Sequence, residues 1–209
     1  AWRFMLPELS KHFSVVTYDL RGHGKSSVTH KNFTLDELVL DLERIREKTK
    51  FEKAHFAGHS LGGMIAPAYA LKFPDHVISV GLLSTVAGRS EEDSKKVWNV
   101  IKEMENNGIE KTLQTLTTRW FTDEFININP DLVKRRLKQV VDTDPEVFLN
   151  VFKIYAKTEM LLWLKNISKP CLLLTGENDG GCSPKHNEIM ANEIKDSKLV
   201  ILPKYKHSF

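Results

Sequence analysis

The stretch Lys53-Ala54-His55-Phe56-Ala57-Gly58-His59-Ser60-Leu61-Gly62-Gly63 decides the fold. Its first half is a short run that reads as a strand ending on Gly58. Leu61 to Phe73 reads as a helix, stopped by Pro74 and with a kink expected at Pro67. Between them stands G-x-S-x-G, from Gly58 to Gly62. Alone the pattern is weak, because composition supplies it by chance in about one such chain in 25. The context decides. A strand, a tight turn and a helix start form the setting in which a serine hydroxyl is lifted above a sheet. The glycines leave room for the turn and for the close approach of strand and helix. Ser60 is therefore the candidate nucleophile, and Leu61, whose N–H lies at the helix start, the candidate oxyanion donor. The competing reading is a serine that merely caps the helix of an ordinary strand–helix loop.

A serine hydroxyl is a poor nucleophile at neutral pH and needs a base held by an acid. With this type of turn the partners follow in the chain order serine, acid, histidine. Asp179 lies just past the apolar run Cys171–Thr175, in the loop Gly176–Pro184, and carboxyl ends of strands are where sites of open α/β sheets gather. Glu177 is the rival acid but sits nearer the strand end. His207 follows the run Lys198–Leu202 at the same edge and is the candidate base. Only His186 also follows Asp179, and its place in the first turn of a helix reads as a surface position.

On either side of the turn and including its own strand, five apolar runs read as strands: 13–20, 53–57, 77–84, 171–175 and 198–202. Their near-continuous apolar character suits strands buried on both faces of a parallel sheet. Helical patterns alternate with them. Leu35, Leu38, Val39, Leu42 and Ile45 recur at helical spacing behind a Thr34/Glu37 capping box. Ser183 and Pro184 open another helix, over 184–194. Residues 90–165 break this rhythm. Asn107-Gly108 separates two helical patterns there, and Asn129-Pro130 and Asp144-Pro145 open two more. The fold class is thus α/β, a mostly parallel sheet with a helical cap inserted between strands, divided as core 1–89, cap 90–165 and core 166–209.

The composition fits a globular chain. Of 209 residues, 41% are hydrophobic and 27% charged, and 30 Lys+Arg against 27 Asp+Glu leave a net charge of +3. The charges are interspersed, which offers nothing to nucleic acid or a membrane surface. Two cysteines, Cys171 and Cys182, make neither a disulfide framework nor a metal half-site, and suggest a reducing, cytoplasmic setting. Gly22-His-Gly-Lys-Ser26 imitates the tail of a phosphate loop, but Asp19 stands where that pattern needs glycine. His55 and His59 lie on strand and turn, not on one helical face, so they form no zinc pair. No metal and no cofactor are expected.

The four motifs together resemble the α/β-hydrolase superfamily. Tyr18-Asp-Leu-Arg-Gly-His-Gly-Lys-Ser26 resembles its loop before the elbow and Gly58–Gly63 the elbow itself. Gly176-Glu-Asn-Asp179 resembles the acid loop, and Pro203-Lys-Tyr-Lys-His207 the histidine loop. Arg119-Trp-Phe-Thr122 and Gly176–Pro184 look similar to 3-oxoadipate enol-lactonases and related small-ester and carbon–carbon bond hydrolases. The resemblance implies Ser60, Asp179 and His207 as catalytic residues, with Arg119 and Trp120 as substrate-binding candidates. It further implies a small ester or lactone as the substrate. Against the family pattern, the N-terminal strands with the His-Gly loop for a second oxyanion donor, and the closing C-terminal helix, are absent from this chain. That implies an internal fragment of a longer hydrolase. The other functional readings are a non-catalytic small-ligand-binding protein and a cofactor-free perhydrolase or haloperoxidase on the same triad.

Overall fold

A computed structural model describes residues 2–209. Between the short helix α1 (Leu6–Leu9) and a second helix, α2 (Leu35–Thr49), the chain forms turns but no helix or strand. Thr34 caps α2, and Glu37 closes the capping box on its backbone, as the spacing requires. The sheet follows as β1 (Ala54–His59), β2 (Val77–Leu83), β3 (Cys171–Gly176) and β4 (Ser197–Leu202). All neighbours are parallel, and order in the sheet is order in the chain. Every carboxyl end therefore points the same way. α3 (Gly62–Lys72) returns the chain from β1 to β2, and α10 (Pro184–Glu193) returns it from β3 to β4. α3 runs through Pro67 without interruption.

Six helices lie between β2 and β3: α4 (Glu91–Asn107), α5 (Ile109–Trp120), α6 (Asp123–Ile128), α7 (Pro130–Val141), α8 (Pro145–Lys157) and α9 (Leu161–Leu164). Ser90 and Asp144 cap α4 and α8 with their side chains, and Gly108, at φ 83°, stops α4 where Asn107-Gly108 requires it. The insertion has its own apolar centre of Ile101, Met104, Ile109, Leu113, Val140 and Phe148. The main core gathers Leu38 and Val39 of α2, Met64, Ile65 and Tyr69 of α3, Leu82 of β2, Leu173 of β3 and Met190 of α10.

Two expectations change. The 13–20 run forms no strand. It takes no regular structure, with the Phe13 ring edge-on to His55 of β1 at 5.8 Å, and Phe13 and Val16 are exposed. Strand propensity supplies conformation, but a ladder also needs a neighbour at hydrogen-bonding distance, and none faces this run among the described residues. Nor is every strand buried on both faces. β2 and β3 carry mostly buried side chains, whereas in β1 Phe56 and Gly58 are buried while His55 and Ala57 are exposed. Leu172, in register with Gly81 and through it with Ala57, is also exposed, so part of that sheet face is uncovered among the described residues; the exposed Ile201 lies on the opposite face, on β4.

Candidate active site

Ser60 follows the last residue of β1. Its N–H donates to the carbonyl of Leu83 at 2.8 Å, which extends the β1–β2 ladder by one bond. Its φ is +58°, a left-handed conformation that a side-chain-bearing residue adopts only when its surroundings enforce it. The enforcement is steric. A Cβ at Gly58 would overlap the backbone carbonyl of Gly62, and one at Gly63 would come within 2.7 Å of Thr85 Cβ. Strand and helix can therefore approach only over glycine. Leu61, buried, is the N-cap of α3, and a helix's first N–H groups have no acceptor within the helix. Gly58→Ala is expected to cost about 3 kcal/mol or more, because backbone must move to admit the methyl. Denaturant titration measures this, and a midpoint equal to that of the parent chain would show that the turn does not depend on the close approach.

Asp179 follows β3 and is 2% exposed. Its Oδ1 accepts the N–H of Gly181 at 3.0 Å and of Cys182 at 2.9 Å. Its Oδ2 accepts Nδ1–H of His207 at 2.8 Å. Burial works to raise its pKa, but the His207 bond and the two N–H groups outweigh it and hold the carboxyl below the usual range. The loop is pinned further by Thr175, whose hydroxyl donates to the Cys182 carbonyl at 2.6 Å, and by Asn187, whose amide donates to the same oxygen at 3.0 Å.

His207 is carried by the segment after β4, which crosses the end of β3. There a Cβ on Gly176 would overlap the carbonyls of Tyr205 and Lys206. Asn178 N–H donates to Tyr205 O at 2.8 Å, and Glu177 accepts Lys204 N–H at 2.8 Å. Glu177 is thus occupied in the turn that delivers the histidine and does not reach the ring. The histidine segment also meets the insertion: Ser208 N–H donates to Trp120 O at 2.8 Å, and Lys206 Nζ donates to Thr118 O at 2.9 Å. Asp179 and His207 are therefore paired. The His207 ring stands beside the turn, 4.8 Å between centroids from the ring of His59. No hydrogen bond joins Ser60 to His207 among the described residues.

Trp120 is half-buried at the end of α5, with the Arg136 guanidinium 5.3 Å over its ring. Arg119 is exposed and lines a cleft of about 450 Å³ between α4 and α5, with Lys96, Glu103 and Lys111 among its other walls. None of Ser60, Asp179 and His207 lines that cleft. His186, expected at the surface, is instead buried. Its Nδ1 meets Ser183 Oγ at 3.0 Å and its Nε2 lies 3.6 Å from Asp93, because the first turn of α10 packs beneath the start of α4. Ser183 consequently spends its hydroxyl on His186, with no side-chain bond to the helix N-terminus. The phosphate-loop mimic is closed on itself. Asp19 accepts Lys25 N–H at 3.1 Å and fills the space a Cβ on Gly24 would need.

Motif reading missed Cys182, which is buried beside the Asp179–His207 pair. Its sulfur lies 3.4 Å from the hydroxyl of Tyr155 on α8. Asp179, Cys182 and His207 bring potential ligand atoms within 4.8 Å of one another. Burial pushes the thiol well above its ordinary pKa, and the ring N–H is committed to the carboxylate, so the cluster has the chemistry of a hydrogen-bonded pair beside a neutral thiol.

Known proteins share the fold of this chain. A family model described as alpha/beta hydrolase fold matches residues 1–209. The chain is 31% identical over 202 residues to 3-oxoadipate enol-lactonase 1 of Acinetobacter baylyi, covering 96% of this chain and 74% of that protein. The crystal structure of the enol-lactonase from Burkholderia xenovorans LB400 superposes with a TM-score of 0.90 at 25% identity, over 99% of this chain and 78% of that one. A thermophilic esterase from Thermogutta terrifontis, solved with malate bound, gives a TM-score of 0.86 at 25% identity, over 99% of this chain and 77% of that one. Among the described residues no helix is long and apolar enough to cross a membrane.

Proposed function

The chain belongs to the alpha/beta hydrolase fold family, and from that premise we propose that it is a serine hydrolase cleaving a small carboxylic ester or lactone through an acyl-enzyme. The observation that carries the reading is the buried Asp179 carboxylate bonded at 2.8 Å to Nδ1 of His207. That bond fixes the tautomer in which Nε2 carries the lone pair, the form required of a general base. In the proposed cycle, Nε2 takes the Ser60 proton as Oγ attacks the substrate carbonyl carbon. The carbonyl π electrons move to oxygen, and Leu61 N–H meets the resulting oxyanion. Collapse of the tetrahedral intermediate expels the alkoxide or enolate oxygen, which receives the proton from His207. Water, deprotonated by the same nitrogen, then attacks the acyl-enzyme; the acyl–Oγ bond breaks, Ser60 Oγ takes that proton back from Nε2, and the acid is released. Apo triads are often loose, and the absent Ser60–His207 bond is compatible with closure on substrate.

A 3-oxoadipate enol-lactone is the first substrate to try, since enol-lactonases stand among the relatives similar over nearly the whole chain. The test pairs fluorophosphonate labelling, located by peptide mass analysis, with a panel of small esters and lactones that includes this one. Expected are label on Ser60 alone and hydrolysis within the panel. A chain that leaves Ser60 unlabelled and hydrolyses nothing would overturn the hydrolase reading in favour of a non-catalytic one. Peroxide-dependent halide oxidation without ester turnover would assign the triad to other chemistry.

A further inference from the structure

His207 sits on a segment without regular structure, yet a proton transfer to it requires placement to a fraction of an ångström. Asp179 holds only the ring. The backbone must be held separately, and two bonds do this. On one side Ser208 N–H donates to Trp120 O at 2.8 Å. On the other, Nε2–H of His59 donates to the carbonyl oxygen of His207 itself at 2.7 Å, across 148 residues of chain. We propose that His59 is a positioning residue whose Nε2–H latches the backbone of the candidate base to the turn that carries the nucleophile; the proposal rests on the hydrolase reading above.

The latch is short and stiff. His59 is the last residue of β1 and is paired with Leu83 of β2, so its backbone is fixed by the sheet. It immediately precedes Ser60, so nucleophile and base are tied through one peptide unit and one hydrogen bond. The ring is fixed in turn by its edge-on contact with Phe209 at 5.8 Å and its tilted contact with His207 at 4.8 Å. Its charge state suits the task. Burial, helped by the positive charge His207 carries when protonated, pushes the His59 ring down to about 3. At neutral pH it is therefore an uncharged donor. A lysine or arginine here would also donate to the carbonyl, but its fixed charge would oppose the imidazolium that forms on His207 during reaction. A histidine held neutral donates without that penalty.

The test compares His59→Phe, which keeps a ring but loses the donor, with His59→Gln, whose side-chain amide can present N–H close to the place of Nε2. In the full chain His59→Phe is expected to lower kcat by about tenfold to a hundredfold with KM within about twofold, because placement and not binding is lost. His59→Gln should recover kcat to within about fivefold, as a restored donor restores placement. Independently of any substrate, amide hydrogen exchange at Ser208 should be at least about tenfold faster in His59→Phe, while the amides of β1–β3 keep their protection. Wild-type exchange at Ser208 in His59→Phe would overturn the latch. So would faster exchange throughout the sheet, which would mark a merely structural residue, or a change in KM alone. Failure of the hydrolase reading shows separately, as a parent chain that neither labels at Ser60 nor turns over substrate, and the Ser208 exchange rate still decides the latch.

Discussion

Ser60→Ala is expected to lower kcat by about ten-thousandfold or more on any ester or lactone the parent chain hydrolyses, because no acyl-enzyme can form without Oγ. The folded chain should hardly notice the change. Ser60 Oγ makes no hydrogen bond among the described residues, so no partner is stranded when it is removed, and substitutions of that kind stay within about 0.5 kcal/mol. The backbone offers a control. Ser60 sits at φ +58°, where glycine is at ease and alanine is strained as serine is. Ser60→Gly should thus be as inactive as Ser60→Ala yet more stable than the parent, by up to about 1 kcal/mol. Kinetics on the best substrate of the panel and a denaturant titration of all three chains check both halves. Residual turnover within tenfold of the parent in either variant would remove Ser60 from the chemistry. A loss of activity that tracks a loss of stability would do the same, since the turn would then be failing as scaffold.

The elbow was legible because its demands are local. Two glycines, a serine and a helix start within a few residues answer a steric problem that the chain solves with its neighbours alone. The capping box of α2 and the stop at Gly108 are local in the same sense, and both stand where the spacing puts them. The acid and histidine motifs could be placed in order along the chain, but their pairing depends on distant parts. Gly176 has to let Tyr205 and Lys206 pass, and Glu177 has to be drawn off to Lys204. Much of what the residues did not disclose is long-range. The 13–20 run has the side chains of a strand, and pairing is a property of its neighbours. His186 reads as exposed from its own helix turn and is covered by α4, almost a hundred residues earlier in the chain. The short helices α6 and α9 are too brief for a periodic signal, and Thr122, which caps α6 by accepting Phe125 N–H at 3.1 Å, was the one local sign of the first. In the sequence His59 reads only as half of a zinc pair that its position and that of His55 do not form. Its bond to His207 links the two ends of the site through space and leaves no mark in spacing.

Asp179→Asn is expected to lower kcat by about a thousandfold to ten-thousandfold with little loss of stability, and the geometry of its two oxygens dictates why. Oδ1 accepts two backbone N–H groups, from Gly181 and Cys182, and neither donates to any other group among the described residues. An asparagine must keep its carbonyl oxygen there, because turning the amide over would set its NH2 against two donors and leave both unsatisfied. The amide nitrogen is therefore forced to the place of Oδ2, facing Nδ1 of His207 at 2.8 Å. Two donors cannot share that bond, so Nδ1 must become the acceptor and the ring proton moves to Nε2. The nitrogen facing the serine then has no lone pair to receive the Oγ proton. The ring remains in place and the tautomer is wrong. Asp179→Ala should differ in kind. It leaves the buried Cys182 N–H without an acceptor, at about 1–3 kcal/mol, while the N–H of the exposed Gly181 can turn to water, so stability falls together with activity. Separate readouts distinguish them: kcat and the denaturation midpoint for each variant, with the nitrogen-15 chemical shifts of the His207 ring reporting which nitrogen carries the proton. An Asp179→Asn chain that retains kcat, or one whose His207 still carries its proton on Nδ1, would show that the carboxylate does not set the tautomer of the base.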